Sequence, residues 1–466
     1  MASILRKIRV LAAVALVPAG LAALVSPAVA AEQADIIIRN ARVFDGRSAN
    51  LRDGAQVHVR GNRITAVHGP GEDGALPTGA RIIDAGGRVL MPGLIDAHVH
   101  PTIAVSIAAL RDNDPNYVGA RATAEARQML LRGFTTIRDM GGPAFGLRQA
   151  IDEGVIEGPR IFPSGAIISQ TSGHGDFRTR TALPRRWSGE QDALERLGYG
   201  LIADGADEVA AAVREQLRQG ATQIKLAAGG GISSNYDPID SVQYFDSELR
   251  AAVQAAADWG TYVAVHAYTP TAIRRSVEAG VRSIEHAHLI DEPTMRLIAE
   301  RGVFLSPQAY VFSGVFAPPP GAAGPPPTPA QLAQREKSAL VSTGLDRMMQ
   351  LAKKHGVRVA FGTDVFGASR VFAWESREFG ARLRWFTPLE ILRQATSING
   401  ELLALSGPRN PYGKLGVIEP GAMADLLVVD GNPLEDIRVL ERPDETLRLI
   451  MKDGRVVLSR LSTDAP

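Results

Sequence analysis

The chain of 466 residues is 45% hydrophobic and 22% charged, ordinary globular usage that excludes broad disorder and leaves room for one large barrel plus a smaller module. Its 51 Lys and Arg against 50 Asp and Glu give a formal charge of +1, so no global field draws in nucleic acid or an anionic membrane. It has no cysteine, so an oxidising compartment adds no disulfide, and any metal must be held by nitrogen and oxygen, which suits zinc, manganese or cobalt.

Residues 1–30 read as a secretory signal peptide. Arg6, Lys7 and Arg9 precede an apolar stretch from Val10 to Val25, and Ala28-Val29-Ala30 supplies the small residues of a cleavage site. Pro18 and Gly20 interrupt the stretch, which is shorter than the roughly 20 apolar residues of a spanning helix. The expectation is a periplasmic or secreted protein with no stable membrane anchor after cleavage.

"ADIIIRNARVFDG", "GAQVHVRGNRITAVHG" and "ARIIDAGGRVLMPG" come next, β-branched runs split by Gly, Asn and Asp, as in hairpin strands. The same texture returns in "GVIEPGAMADLLVVDGNP" and "LRLIMKDGRVVLS", with Lys452-Asp453-Gly454-Arg455 as a hairpin turn. Residues 31–91 and 407–466 are therefore expected to form one small β-sandwich. Between them, over 92–406, apolar runs alternate with helical stretches. "GLIDAH", "FTTIRD", "PRIFPSG", "TQIKLAAGG", "TYVAVHA", "RSIEHA", "VFLSPQ" and "VRVAFGTD" are the strand candidates, and "SELRAAVQAAADWG" and "PTAIRRSVEAG" are helices stopped by Gly260 and Gly280. This α/β pattern predicts a (β/α)8 TIM-like barrel rather than an open sheet. "APPPGAAGPPPTPA", residues 317–330, can continue neither helix nor ladder; it reads as a loop on the face carrying the chemistry.

Only nine histidines are present. His98 and His100 close the first candidate, His266 the fifth and His286 the sixth, with His288 behind. Residues two apart on a strand share a side, so His98 and His100 can reach one ion. Lys225 in the fourth candidate and Asp364 ending the eighth would project into the same mouth, and a bare ammonium buried there would be costly. His58, His68 and His355 read as structural.

These residues resemble the amidohydrolase superfamily, through "PGLIDAHVH", "TTIRDMGG", "QIKLAAGG", "VHA", "IEHA", "FGTD" and the closing "GVIEPGAMADLLVVDGNP". The resemblance implies two divalent metal ions, zinc foremost, and carbon dioxide bound as a carbamate on Lys225. It implies that His98, His100, Lys225 and Asp364 hold one ion and that Lys225, His266 and His286 hold the other. A hydroxide shared by the ions would attack the scissile bond, with Asp364 as the catalytic proton shuttle; a one-ion site stays open. "ISQTSGHGDFR", residues 168–178, is similar to a stretch of the Xaa-Pro dipeptidase, carboxypeptidase and ochratoxin-amidase branch, whose substrates carry a carboxylate beside the amide. His174, Arg178 and Tyr236 are the substrate-binding candidates. The expected partners are a dipeptide or N-acyl amino acid and further copies of the chain. A cyclic-amide or lactone hydrolase of the imidazolonepropionase-like type is the second reading, and a non-catalytic binding protein on the same scaffold the third.

Expressed in a bacterial host, the chain should be recovered from the periplasm or medium beginning at Ala31. N-terminal mass spectrometry checks this, and an intact Met1 terminus on cytoplasmic protein would contradict it.

Overall fold

The computed structural model of the protein describes residues 35–72, 77–313 and 326–461. The export segment 1–30 and residues 317–325 of the proline-rich run lie outside the described residues. Five strands come first: β1 (Ile36–Val43), β2 (Arg52–Arg60), β3 (Arg63–His68), β4 (Arg81–Asp84) and β5 (Val89–Pro92). Nine follow: β6 (Leu94–Val99), β7 (Phe134–Asp139), β8 (Arg160–Phe162), β9 (Ile167–Ser169), β10 (Gly200–Ile202), β11 (Ile224–Ala227), β12 (Val263–Ala267), β13 (Ser283–His286) and β14 (Phe304–Ser306). β15 (Leu426–Val429), β16 (Leu447–Lys452) and β17 (Arg455–Ser459) close the chain.

Both chain ends build one eight-stranded sheet, ordered β17-β16-β15-β5-β1-β2-β3, with β4 on β1. The β16–β17 turn places Asp453 at φ 57° and Gly454 at φ 69°, the two left-handed residues of a type I′ hairpin. The sheet curls until Ala424 N donates to Asn62 O (2.9 Å) and Gly454 N to Ala424 O (3.0 Å), wrapping a core that includes Ile38, Val57, Leu426, Val428 and Leu449. The sandwich expected from the sequence is thus one continuous sheet folded over its own core. Leu427, Val429 and Ile450, on the alternate positions, belong to the barrel's cluster instead. Burial on both faces explains why "LLVV" is apolar throughout.

The remaining strands form the staves of a barrel wall. β6, β7 and β8 pair in parallel, as do β9, β11, β12, β13 and β14, with β10 appended to β9. β8 and β9 are two halves of one stave bent at Pro163-Ser164-Gly165. Thr222 N donates to Pro163 O (2.9 Å) at the bend. The eighth stave, 357–364 in the sequence reading, makes isolated bridges rather than a ladder. Val359 bridges Leu305 and Val365 bridges Val99, and Ala97 N donates to Phe361 O (2.8 Å), so the wall returns to where it began. Along the staves Ile224, Leu226, Val263, Val265, Ile284 and Leu305 join the cluster shared with the helices. Each such fully buried aliphatic is worth about 1.5–3 kcal/mol. The alternate positions carry Lys225, His266, Ser283, Glu285 and Ser306, all buried: the outside of the wall is apolar and its lumen polar.

Two local readings change. The helix expected to reach Gly260 ends at Ala257, and Gly260 N closes a turn on Ala257 O (2.8 Å); Gly280 caps its helix in the left-handed region as expected. The proline-rich run gives way to a helix, Pro329–Ser342, whose Thr328 and Gln331 form a capping box with Pro329 at the first position, where a missing N–H costs nothing.

Gly93 joins the module to the first stave, and a Cβ there would lie 2.0 Å from Thr135 Oγ1 and 2.8 Å from Thr135 Cβ. Gly93→Ala should therefore destabilise the protein by about 1–3 kcal/mol, read as a lowered denaturation midpoint; an unchanged midpoint would contradict this packing.

Candidate metal centre

The first and eighth staves are locked together by Asp96. Its buried carboxylate accepts from His98 N (2.9 Å), Thr363 N (3.2 Å) and Thr363 Oγ1 (2.5 Å). Asp364 N donates to His98 O (2.7 Å), and Asp364 itself sits at φ 56°, a left-handed conformation uncommon outside glycine. Its Oδ1 is consequently 3.5 Å from His98 Nε2 and 3.2 Å from His100 Nε2. One ligand atom from each of His98, His100 and Asp364 falls within 4.8 Å of the others.

His286 is brought in differently. Ser283 and Glu285 face the lumen and Ile284 packs outside, so alternation alone would send His286 outward. A φ of 77° at His286 and 58° at Ala287 turns its ring into the mouth, 5.0 Å from the ring of His98 and 4.5 Å from that of His266. Backbone in a sparsely populated region persists only where the surrounding structure holds it.

The hydrogen bonds decide which ring nitrogen is free. His98 Nδ1 faces Glu285 Oε2 (2.7 Å), His100 Nδ1 faces Gly141 O (3.0 Å), and His286 Nδ1 faces Gln308 Oε1 (2.6 Å). The Gln308 amide is oriented by its own Nε2, which donates to Ser306 O (2.9 Å). A carboxylate or carbonyl oxygen can only accept, so all three rings donate from Nδ1, which in a neutral ring leaves the lone pair on Nε2. His266 is the reverse: Nε2 donates to Gly230 O (3.1 Å), leaving Nδ1 bare. Burial holds His98 and His266 well below the usual histidine range and His286 down to about 3, so the rings are neutral, as metal ligands must be. Neutral rings with outward lone pairs beside a carboxylate fit a divalent ion.

Lys225 is 2% exposed. Burial, opposed by Glu285 and Asp364, pulls it down to about 8, and its charge depresses His98, His266, His286 and His174. A largely desolvated amine near neutrality has a reactive free-base fraction.

Of the substrate-binding candidates, the structure brings only His174 to this cluster. Its ring stacks on His266 at 4.0 Å, and its Nδ1 lies 2.7 Å from Ser234 Oγ. The approach is close because residue 231 is glycine: a Cβ there would be 1.8 Å from His174 Nδ1. Burial brings His174 down to about 4. Arg178 is not brought in: its guanidinium is forked onto Asp176 (2.8 and 2.5 Å), two residues back, with Asp192 and Glu195 also close enough to raise its pKa. Tyr236 is exposed, with Arg180 over its ring at 5.3 Å. Lys337 spends its ammonium on the carbonyls of Gly231, Ser234 and Asp237 (2.9, 2.9 and 2.7 Å), which fixes the loop carrying Ser234.

Sequence reasoning missed Tyr268, whose buried ring lies 4.8 Å from His266 and 5.2 Å from His286. The signal was available: Tyr268 follows His266 at the same two-residue spacing that pairs His98 with His100. It also missed Glu285, Arg138 and Gln308, which hold the histidine rings from behind.

Comparison with known proteins agrees with this geometry. A family model described as the amidohydrolase family matches residues 89–457. Ochratoxinase of Aspergillus niger is 33% identical over 379 residues, covering 79% of this chain and 75% of that protein. A prolidase crystallised with N-methylphosphonate-L-proline superposes with a TM-score of 0.82 at 36% identity, covering 91% of this chain and all (100%) of the other. A Xaa-Pro dipeptidase with bound methionine in its active site gives 0.78 at 31% identity, over 91% and 100% of the two chains.

Because Arg178 and Tyr236 are engaged elsewhere, Arg178→Lys and Tyr236→Phe should leave KM within about twofold of the parent. A tenfold rise in KM at unchanged melting temperature, on the scale of a lost binding contact, would show that one of them does meet substrate.

Proposed function

This chain belongs to the amidohydrolase family, and on that premise we propose that it hydrolyses the amide bond between an acyl group and a C-terminal amino acid, in an Xaa-Pro dipeptide or an N-acyl amino acid. The substrate class is supported by the names of the relatives, an ochratoxinase, a prolidase holding a proline phosphonate and a Xaa-Pro dipeptidase. The observation that carries the chemistry is the tautomer pattern: three histidines present bare Nε2 atoms and a fourth a bare Nδ1, around Asp364.

In this reading His98, His100 and Asp364 would hold one divalent ion and His266 and His286 a second, and Lys225, as the carbamate it would form with carbon dioxide on losing a proton, would add an anionic ligand. Bound ions of this kind make water nucleophilic at neutral pH and polarise a carbonyl. The side chains do the rest. Asp364 accepts the proton released by the attacking water at a carboxylate oxygen and returns it to the departing amine nitrogen. His174, beside the ligand rings but not needed among them, binds the substrate carboxylate or carbonyl. Ser234 Oγ has one proton, within reach of both Gly231 O (3.2 Å) and His174 Nδ1 (2.7 Å); turned to Nδ1 it leaves the ring proton on Nε2, free to donate to substrate. Tyr268 closes the same wall. With Arg178 and Lys337 already paired, a substrate carboxylate is met by these neutral donors rather than by a fixed cation. Export across the inner membrane belongs to the same proposal and rests on residues 1–30 alone.

The test is a panel of Xaa-Pro dipeptides, N-acyl amino acids, cyclic amides and lactones assayed on one preparation. Acyl amino acids with a free carboxylate should be turned over best, and their methyl esters or primary amides should show a raised KM; faster turnover of lactones or cyclic amides would overturn the substrate class. About two divalent ions per chain are expected by elemental analysis. Asp364→Asn should lower kcat by about 10²–10⁴ with the metal retained, and full turnover in that variant would remove its role as proton carrier.

A further inference from the structure

Among the four proposed ligand histidines, one is supported differently from the rest. His100, His266 and His286 donate their one ring N–H to neutral oxygens: the Gly141 and Gly230 carbonyls and the Gln308 amide. His98 alone donates to a carboxylate, Glu285 Oε2, at 2.7 Å. Glu285 is in turn enclosed. Arg138 Nη2 donates to both of its oxygens (2.8 and 2.9 Å) and Ser283 Oγ to Oε1 (2.6 Å). The other N–H groups of Arg138 go to Ala97 O (2.5 Å), Tyr262 Oη (3.1 Å) and Ser283 Oγ (3.3 Å). Arg138, Glu285 and Ser283 are all 0% exposed.

The arrangement costs more than a structural role requires. An Arg–Glu pair fully removed from water contributes little or nothing over an apolar pair of the same volume, and Phe304, Ala264 and Ala97 show that the lumen below accepts apolar side chains. What an apolar pair cannot supply is an acceptor for His98 Nδ1–H. Arg138 also grips the carbonyl of Ala97, the residue before His98, so the same guanidinium fixes the backbone behind the ring and the carboxylate that orients it.

We propose that Glu285, held by Arg138, is the positioning residue of the metal centre: it fixes the ring of His98 with its proton on Nδ1 and makes Nε2 the most basic of the histidine ligand atoms. The proposal rests on the reading of His98 as a metal ligand. Carboxylate partners of ligating histidines are worth about 10–100-fold in metal affinity, and that is the expected effect here. Gln at 285 has the same shape but is neutral, and its Nε2 cannot accept the bonds that Arg138 Nη2 and Ser283 Oγ give to Oε1, so the negative charge behind His98 is lost.

The experiment is chelator competition with Zn²⁺ on the metal-free, folded full-length protein, comparing the parent, His98→Ala, Glu285→Gln and the paired change Arg138→Met with Glu285→Met, which leaves no uncompensated charge should the single variant fail to fold. The tighter Zn²⁺ dissociation constant should rise about 10–100-fold in either Glu285 variant, measured on the folded fraction, which a merely structural role would leave unchanged. In the metal-free parent, nitrogen-15 imidazole spectra should show His98 neutral with its proton on Nδ1, a readout that needs no variant at 285. Unchanged Zn²⁺ affinity in a folded Glu285 variant, or a His98 proton on Nε2, overturns the proposal. If instead His98→Ala binds Zn²⁺ as tightly as the parent, the ligand reading itself fails, and the proposal with it.

Discussion

Everything at the mouth of this barrel depends on where four imidazole protons sit. A buried neutral ring has one donor and one acceptor, and its surroundings choose between them. Each ring here faces an oxygen that can only accept, so each is left with one lone pair directed away from that oxygen. Desolvation supplies the second half of the constraint: it keeps His98, His266 and His286 from taking a second proton. A ring exposed to water would exchange tautomers freely; these cannot without stranding a buried carbonyl or carboxylate, at about 1–3 kcal/mol each.

The wall that creates this environment follows from alternation. Apolar residues at one parity of each stave bind the helices, so the opposite parity is free to be polar, and the lumen carries Arg138, Lys225, Glu285 and Ser306 at full burial. The module made by both chain ends seals the barrel from one side through β15 and β16, whose outward positions Leu427, Val429 and Ile450 complete the barrel's own cluster. Amide hydrolysis, which membership of the amidohydrolase family supports, is favoured by such a polar, fixed, buried site.

Much of this was legible in the residue order. The spacing of His98 and His100 gave a shared face, the eight apolar runs marked the staves, and the turn at Asp453-Gly454 took the expected conformation. What was not legible lies in backbone conformation and in competition between charges. Nothing in "SIEHAH" announces that His286 turns inward at φ 77°; strict alternation would have faced it to the helices. Arg178 reads as a free cation until Asp176, two residues earlier, is seen to take both arms of its guanidinium. Tyr236 looked close in sequence to Lys225 yet faces solvent. The third strand candidate, "PRIFPSG", ends before Ile167, and the short strand that follows it, Ile167–Ser169, pairs with β10 and β11 unannounced by the sequence. Glu285 was overlooked because a glutamate beside a histidine is unremarkable in a list of letters; its meaning is the 2.7 Å contact to a ring 187 positions away.

The assignment of the ligating atoms is tested most directly by anomalous diffraction from crystals of the Zn²⁺-loaded protein, which reads them without any assay. Ions should lie against Nε2 of His98, His100 and His286 and against Nδ1 of His266, with Asp364 in the shell of the first. Zinc bound at Nδ1 of His98 or His100, or bound away from these residues altogether, would contradict it.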